Sequence, residues 1–160
     1  MSLTLKEQMG NKMVVRIMGL DLGSRTIGVA VSDELGLTAQ GVTTIRRKSR
    51  QEDLKEIVSL LSRFAVEEVV VGLPKNMDGS LGKQAEKTLE WARVLQERIQ
   101  LPVATWDERL STVEASRVLL EADLSRKKRK GVIDKVAAIL ILQGYLDQTR
   151  KKSDASLISE

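Results

Sequence analysis

Three carboxylates fall where chemistry could be done: Asp21, Glu108 and Asp134. Asp21 ends the apolar run Ile17-Met18-Gly19-Leu20 and precedes the turn Gly23-Ser24-Arg25. An isolated carboxylate among apolar strands loses its hydration at high cost, so an acid there needs a partner. Asp107-Glu108-Arg109 follows a second short apolar run, Pro102 to Trp106, so a parallel arrangement of the two runs brings both acids to one sheet edge. Asp134 shares a helix face with Ala137, Ala138 and Ile141, at spacings of three, four and seven residues. Acids gathered in this way repel one another unless cations lie among them. Hard oxygen donors in a chain with no His and no Cys suit Mg²⁺ or Mn²⁺ rather than zinc. Each acid also has an ordinary structural reading. Asp134 would complement a helix dipole, Glu108 would pair with Arg109, and Asp21 would cap its turn. Taken together, the three favour a metal site.

The elements that must position these acids follow from hydrophobic period. Val14–Leu22, Gly28–Ser32 and Thr38–Ile45 read as a three-stranded antiparallel meander with short Gly-containing turns. From Arg50 the period becomes helical, with Leu54, Ile57, Val58, Leu60, Leu61 and Phe64 facing inward. Val69-Val70-Val71-Gly72 is a buried strand, and Gly82 to Ile99 a helix burying Ala85, Leu89, Ala92, Leu95 and Ile99. After the strand ending at Trp106, Ser111 with Glu114 forms a capping box that opens a helix to about Ala122. The last helix spans roughly Val132 to Gln148. The order β-β-β-α-β-α-β-α-α predicts an α/β fold with a mixed five-stranded sheet, whose ligands sit beyond the carboxyl ends of the parallel strands. Residues 1–13 read as a flexible extension, 14–150 as a single domain and 151–160 as a flexible tail.

Composition narrows the chemistry. A chain of 160 residues with 42% hydrophobic and 30% charged residues is that of an ordinary globular domain. No apolar run approaches the roughly 20 residues of a membrane span, and residues 1–13 lack the apolar core of a secretory signal. A cytoplasmic setting is the expectation. The absence of His excludes Ser-His-Asp and Cys-His catalysis and any imidazole base. A net charge of +4 is compatible with an anionic partner.

Four segments carry a family resemblance. They are Gly19-Leu20-Asp21-Leu22-Gly23-Ser24-Arg25-Thr26-Ile27-Gly28-Val29-Ala30, Val71-Gly72-Leu73-Pro74 with Asn76-Met77-Asp78-Gly79, Asp107-Glu108-Arg109-Leu110-Ser111-Thr112, and Ile133-Asp134 with Ala137-Ala138. In that order, over Val14 to Thr149, they resemble the YqgF/RuvX family. The resemblance implies an RNase H-like fold and a nuclease acting on pre-16S rRNA in ribosome biogenesis, or on Holliday junctions. It also places the family's catalytic and metal-binding carboxylates on Asp21, Glu108 and Asp134. Two cations would then serve, one lowering the pKa of an attacking water and one stabilising the leaving oxygen.

Within the same motifs, Arg25, Lys75, Asn76 and Arg109 lie at the expected sheet edge, where they would contact a phosphodiester backbone. The structural alternative for Arg25 and Arg109 is orientation of neighbouring acids. Gly72 and Gly79 are expected to serve turn geometry. Arg126, Lys127, Lys128, Arg129 and Lys130 lead into the segment bearing Asp134 and read as a phosphate-gripping loop. A second cluster, Arg46-Arg47-Lys48 with Arg50, reads as a solvated segment. Trp91 and Trp106 are expected in the core. Expected partners are pre-rRNA or branched DNA, with ribosomal particles, for a monomer or homodimer.

Two other classes compete. The stretch Asp21-Leu22-Gly23-Ser24 also resembles the phosphate loop of actin-like ATPases, which implies a phosphotransferase. Those enzymes clamp nucleotide between two domains, however, and no Gly-Lys-Ser/Thr motif is present. A non-catalytic nucleic-acid-binding module would explain the basic clusters but leaves three converging acids without a purpose.

Overall fold

A computed structural model of the chain describes residues 15–110 and 135–150. The expected helix from Ser111, the basic run 126–130, Asp134 and both termini lie outside the described residues.

Strands β1 (Ile17–Leu22), β2 (Thr26–Ser32) and β3 (Ala39–Arg46) form the antiparallel meander. Helix α1 (Arg50–Arg63) leads to β4 (Glu68–Leu73), parallel to β1, and helix α2 (Lys83–Ile99) leads to β5 (Val103–Asp107), parallel to β4. A single 3-10 turn, Glu108–Leu110, follows β5. A further helix, α3, occupies 135–150. The sheet order is β3-β2-β1-β4-β5. β4, flanked by β1 and β5, is continuously apolar from Val69 to Val71, as burial on both faces requires: all three valines are fully buried.

Alternation along the strands assigns the faces. Met18, Leu20, Val69 and Val71 join Leu54, Ile57, Leu61, Trp91 and Leu95 in one cluster, so α1 and α2 cover the same face. Ile17, Val70, Ala30 and Trp106 join Ala137, Ala138, Ile141, Leu142 and Leu146 in a second cluster, so α3 covers the other. Small residues let α3 approach closely. A Cβ added to Gly19 would stand 2.7 Å from the Leu142 Cβ and 3.1 Å from the Ala138 carbonyl oxygen. Both tryptophans lie in these cores, as expected.

The helical stripes differ from expectation in phase. Val58 is 37% exposed, and α1 instead buries Asp53 beside Leu54. The Asp53 carboxylate accepts from the Lys48 amide at 3.0 Å and pairs with the Arg47 guanidinium at 3.6 Å, which makes its burial tolerable. Ser49 is the N-cap, its hydroxyl accepting from the Glu52 amide. In α2, Thr88 and Trp91 face inward while Leu89 is only half-buried. The Thr88 hydroxyl donates to the Gln84 carbonyl, so it enters the core with its polar group satisfied.

Tyr145, on α3, donates its hydroxyl to the Glu68 carboxylate at the start of β4. Burial first, and the Glu68 carboxylate second, push the phenol up to about 12. Because this is the only tyrosine in the chain, phenolate absorbance in an alkaline titration should rise near pH 12 instead of 10. The raised value means that the pair's stabilisation is complete below the free-tyrosine pKa and is lost as pH climbs through the folded value. A midpoint near 10 would show that the contact does not form.

Candidate active site

Register brings Asp21 and Glu108 to one place. Asp21 pairs with Gly28 of β2, and Gly28 with Thr44 of β3. On its other side β1 pairs with β4 through Leu20 and Val71, and the next step carries Asp21 to Gly72. Gly72 in turn pairs with Trp106 of β5, two residues before Glu108. Asp21 shares the face of Ile17, and Gly72 that of Val70, so both lie on the side covered by α3. A Cβ at Gly72 would stand 3.0 Å from Glu108 Oε1 and 2.4 Å from Ile141 Cδ1. The Glu108 carboxylate therefore lies over Gly72, one strand across from Asp21, at the carboxyl edge of the parallel strands. Asp21 is only 4% exposed.

Gly72 corrects one expectation. It is a strand residue, and its missing side chain makes room for Glu108 and Ile141 rather than for a turn. Gly79 does serve a turn, with φ at +88°. That turn follows β4 and is closed by Asn76. The Asn76 amide hydrogen-bonds the Ser80 carbonyl, its side-chain nitrogen donates to the Ser80 hydroxyl, and its carbonyl accepts from Gly79. Asp78 accepts from the amide and hydroxyl of Ser80, and these bonds hold its carboxyl below the usual range.

Arg109 pairs with Asp107, at 2.6 Å, and its guanidinium lies against Gly79. Asp107 is the last residue of β5, and hydrogen bonds from Arg109 hold its carboxyl below the ordinary aspartate range. The guanidinium thus ties the end of β5 to the β4–α2 turn, on either side of Gly72. Lys75 is half-buried just beyond β4, close enough to Asp107 to add to that lowering. Arg25 is exposed in the β1–β2 turn, and its carbonyl accepts from the Arg47 amide.

The second basic cluster is partly structural. Arg47 donates to the Gly23 carbonyl at 2.8 Å and pairs with buried Asp53, fastening the β1–β2 turn to the start of α1. A basic tripeptide in sequence carries no sign of this, because the partner acid sits inside an apolar stripe.

The donor chemistry suits a hard divalent cation: carboxylates at a strand edge, in a chain without His or Cys. Among the described residues no group of three or more such ligands assembles. Two of the three acids are brought together, and the third, Asp134, lies one residue before the described part of α3. Ala137, Ala138 and Ile141, expected on its face of the helix, are fully buried against the sheet. No described helix is long and apolar enough to cross a membrane.

Comparison with known proteins agrees with this architecture. The sequence model of the RuvX Holliday junction resolvase family matches residues 15–148. The chain belongs to the RuvX family. A RuvX relative from Halothermothrix orenii, named "putative pre-16S rRNA nuclease", is 64% identical over 137 residues, covering 86% of this chain and 98% of its own. One from Clostridium botulinum strain Hall, of the same name, is 58% identical over 137 residues, covering 86% of this chain and all of its own. Among solved structures, RuvC of T. thermophilus in complex with a Holliday junction substrate superposes with a TM-score of 0.53 at 17% identity. The match covers 85% of this chain and 97% of RuvC. The RuvX fold here is RNase H-like: a mixed five-stranded sheet between helices.

Proposed function

We propose that this RuvX-family chain is a divalent-metal-dependent nuclease that hydrolyses phosphodiester bonds in 5′-end processing of pre-16S rRNA in the cytoplasm. The observation that carries the reading is the meeting of Asp21 and Glu108 beside Gly72, at the edge where an α/β sheet binds ligands. The names of the RuvX relatives supply the substrate class. Asp21, Glu108 and Asp134 are the residues that would hold Mg²⁺ or Mn²⁺, which supplies a water of lowered pKa and Lewis-acid stabilisation of the leaving oxygen.

The chain's own residues do the rest. Lys75 and Arg25 stand at the same edge, where each would neutralise a substrate phosphate. Asn76 and Arg109 act mainly by shaping the turn beside Gly72, and the Arg109 guanidinium still presents a face to solvent. The run Arg126 to Lys130, entering the segment of Asp134, adds further phosphate contacts.

The test is to incubate the protein with pre-16S rRNA fragments and with a four-way DNA junction, in Mg²⁺, in Mn²⁺ and in chelator. Cleavage of the RNA at a defined 5′ position, abolished by chelator, is expected. Cutting of the junction alone would move the activity to DNA. No cleavage of either in any metal would leave a binding module.

A further inference from the structure

On the opposite side of the β1–β2 turn from Asp21 lies a cleft of about 570 Å³ between the first turns of α1 and α2. Its lining includes Leu22 and Ser24 of that turn, Arg47, Lys48 and Arg50 before and at the start of α1, and Lys87 of α2. Four cations thus face it against a single acid, Asp53, whose carboxylate is already engaged by Arg47 and the Lys48 amide. Lys48, Arg50 and Lys87 are exposed, and among the described residues none has a carboxylate within salt-bridge distance. The Glu90 carboxylate acts on Arg50 from outside the lining, and the concavity keeps an excess of cations that suits an anion.

Trp91 forms part of the cleft wall, buried at 3% exposure.

We propose that this cleft binds the phosphates of a single-stranded segment of the substrate as it leaves the carboxylate site over the Gly23–Ser24 turn. The inference rests on the nuclease reading for its choice of ligand. Asp21 faces one side of the sheet and Leu22, its neighbour, the other, so a strand crossing this turn passes from the acids to the cations. The cations are distributed over two helices, which suits a repeating phosphate chain better than one compact anion.

The test compares two double variants by anisotropy of a fluorescein-labelled 12-nucleotide single-stranded RNA in chelator. Arg50→Ala with Lys87→Ala removes two cations at the amino ends of α1 and α2. Arg63→Ala with Arg98→Ala removes two from the last turns of the same helices. The first should flatten the dependence of log affinity on log salt by about 1.4 units, at about 0.7 per single-strand phosphate contact, and the second should leave it unchanged. Equal changes in the two variants, or none in either, would overturn the proposal. So would ATP binding that is lost in the first variant while RNA binding persists. Wild-type protein that cleaves pre-rRNA but shows identical slopes in both variants defeats the cleft alone. A slope difference in a protein that never cleaves defeats the nuclease reading and keeps the cleft.

Discussion

Asp21→Asn is expected to lower the cleavage rate by about 10³-fold or more, equivalent to about 4 kcal/mol of transition-state stabilisation. Of the two described acids of the candidate site Asp21 is the more deeply buried, at 4% exposure, and it sits centrally in the row that runs from Thr44 through Gly28 to Gly72. Asparagine keeps the shape and loses the charge, so it removes the strongest reason for a cation to bind there. The same change lifts the cost of burying a carboxylate near Glu108. The Tm measured in chelator should therefore equal or exceed that of the wild type. A variant that cleaves at near the wild-type rate would remove Asp21 from the site. A variant with a greatly lowered Tm would show that its carboxylate serves the fold.

Gly19→Ala is expected to cost about 2–3 kcal/mol, as overpacking in a tight interior does. For a domain of this size that corresponds to a Tm lower by roughly 5 to 10 °C. The added methyl would meet the Leu142 Cβ at 2.7 Å and the Ala138 carbonyl oxygen at 3.1 Å. A Cβ and a backbone carbonyl cannot move by a rotamer change, so α3 itself would have to lift from the sheet. Thermal unfolding followed by circular dichroism measures the effect. An unchanged Tm would mean that α3 is not seated on β1 as described.

Much of this arrangement is legible in the sequence because strand period and residue type agree. Ile17 to Leu22 and Val69 to Val71 are apolar on both faces, which only a central strand tolerates, and both occupy the middle of the sheet. Asp21 stands out because it interrupts such a run. Helix phase is harder to read. Val58 fits the apolar stripe of α1 as well as its neighbours do, yet it turns outward, and Asp53 turns inward because Arg47 and the Lys48 amide wait for it. A partner contributed by a backbone amide leaves no trace in residue type. The same holds for Arg109. Its nearest acid in sequence is Glu108, but the 3-10 turn after β5 presents the guanidinium to Asp107 and sends the Glu108 carboxylate over Gly72. The role of Gly72 follows from that turn and from α3 together, so neither the local sequence nor the usual meaning of glycine discloses it.

The space above Gly72 is shared. Glu108 Oε1 and Ile141 Cδ1 both fill room that any side chain on β4 would take. Ile141 belongs to α3, and Glu108 to the turn that follows β5. The seating of α3 and the place of the Glu108 carboxylate are thus linked through a vacancy rather than through a bond. If α3 slides along the sheet, Ile141 presses on or releases the Glu108 carboxylate. The position of that carboxylate follows how α3 seats on the sheet, so tightness of packing and the geometry of the candidate site become one adjustable property.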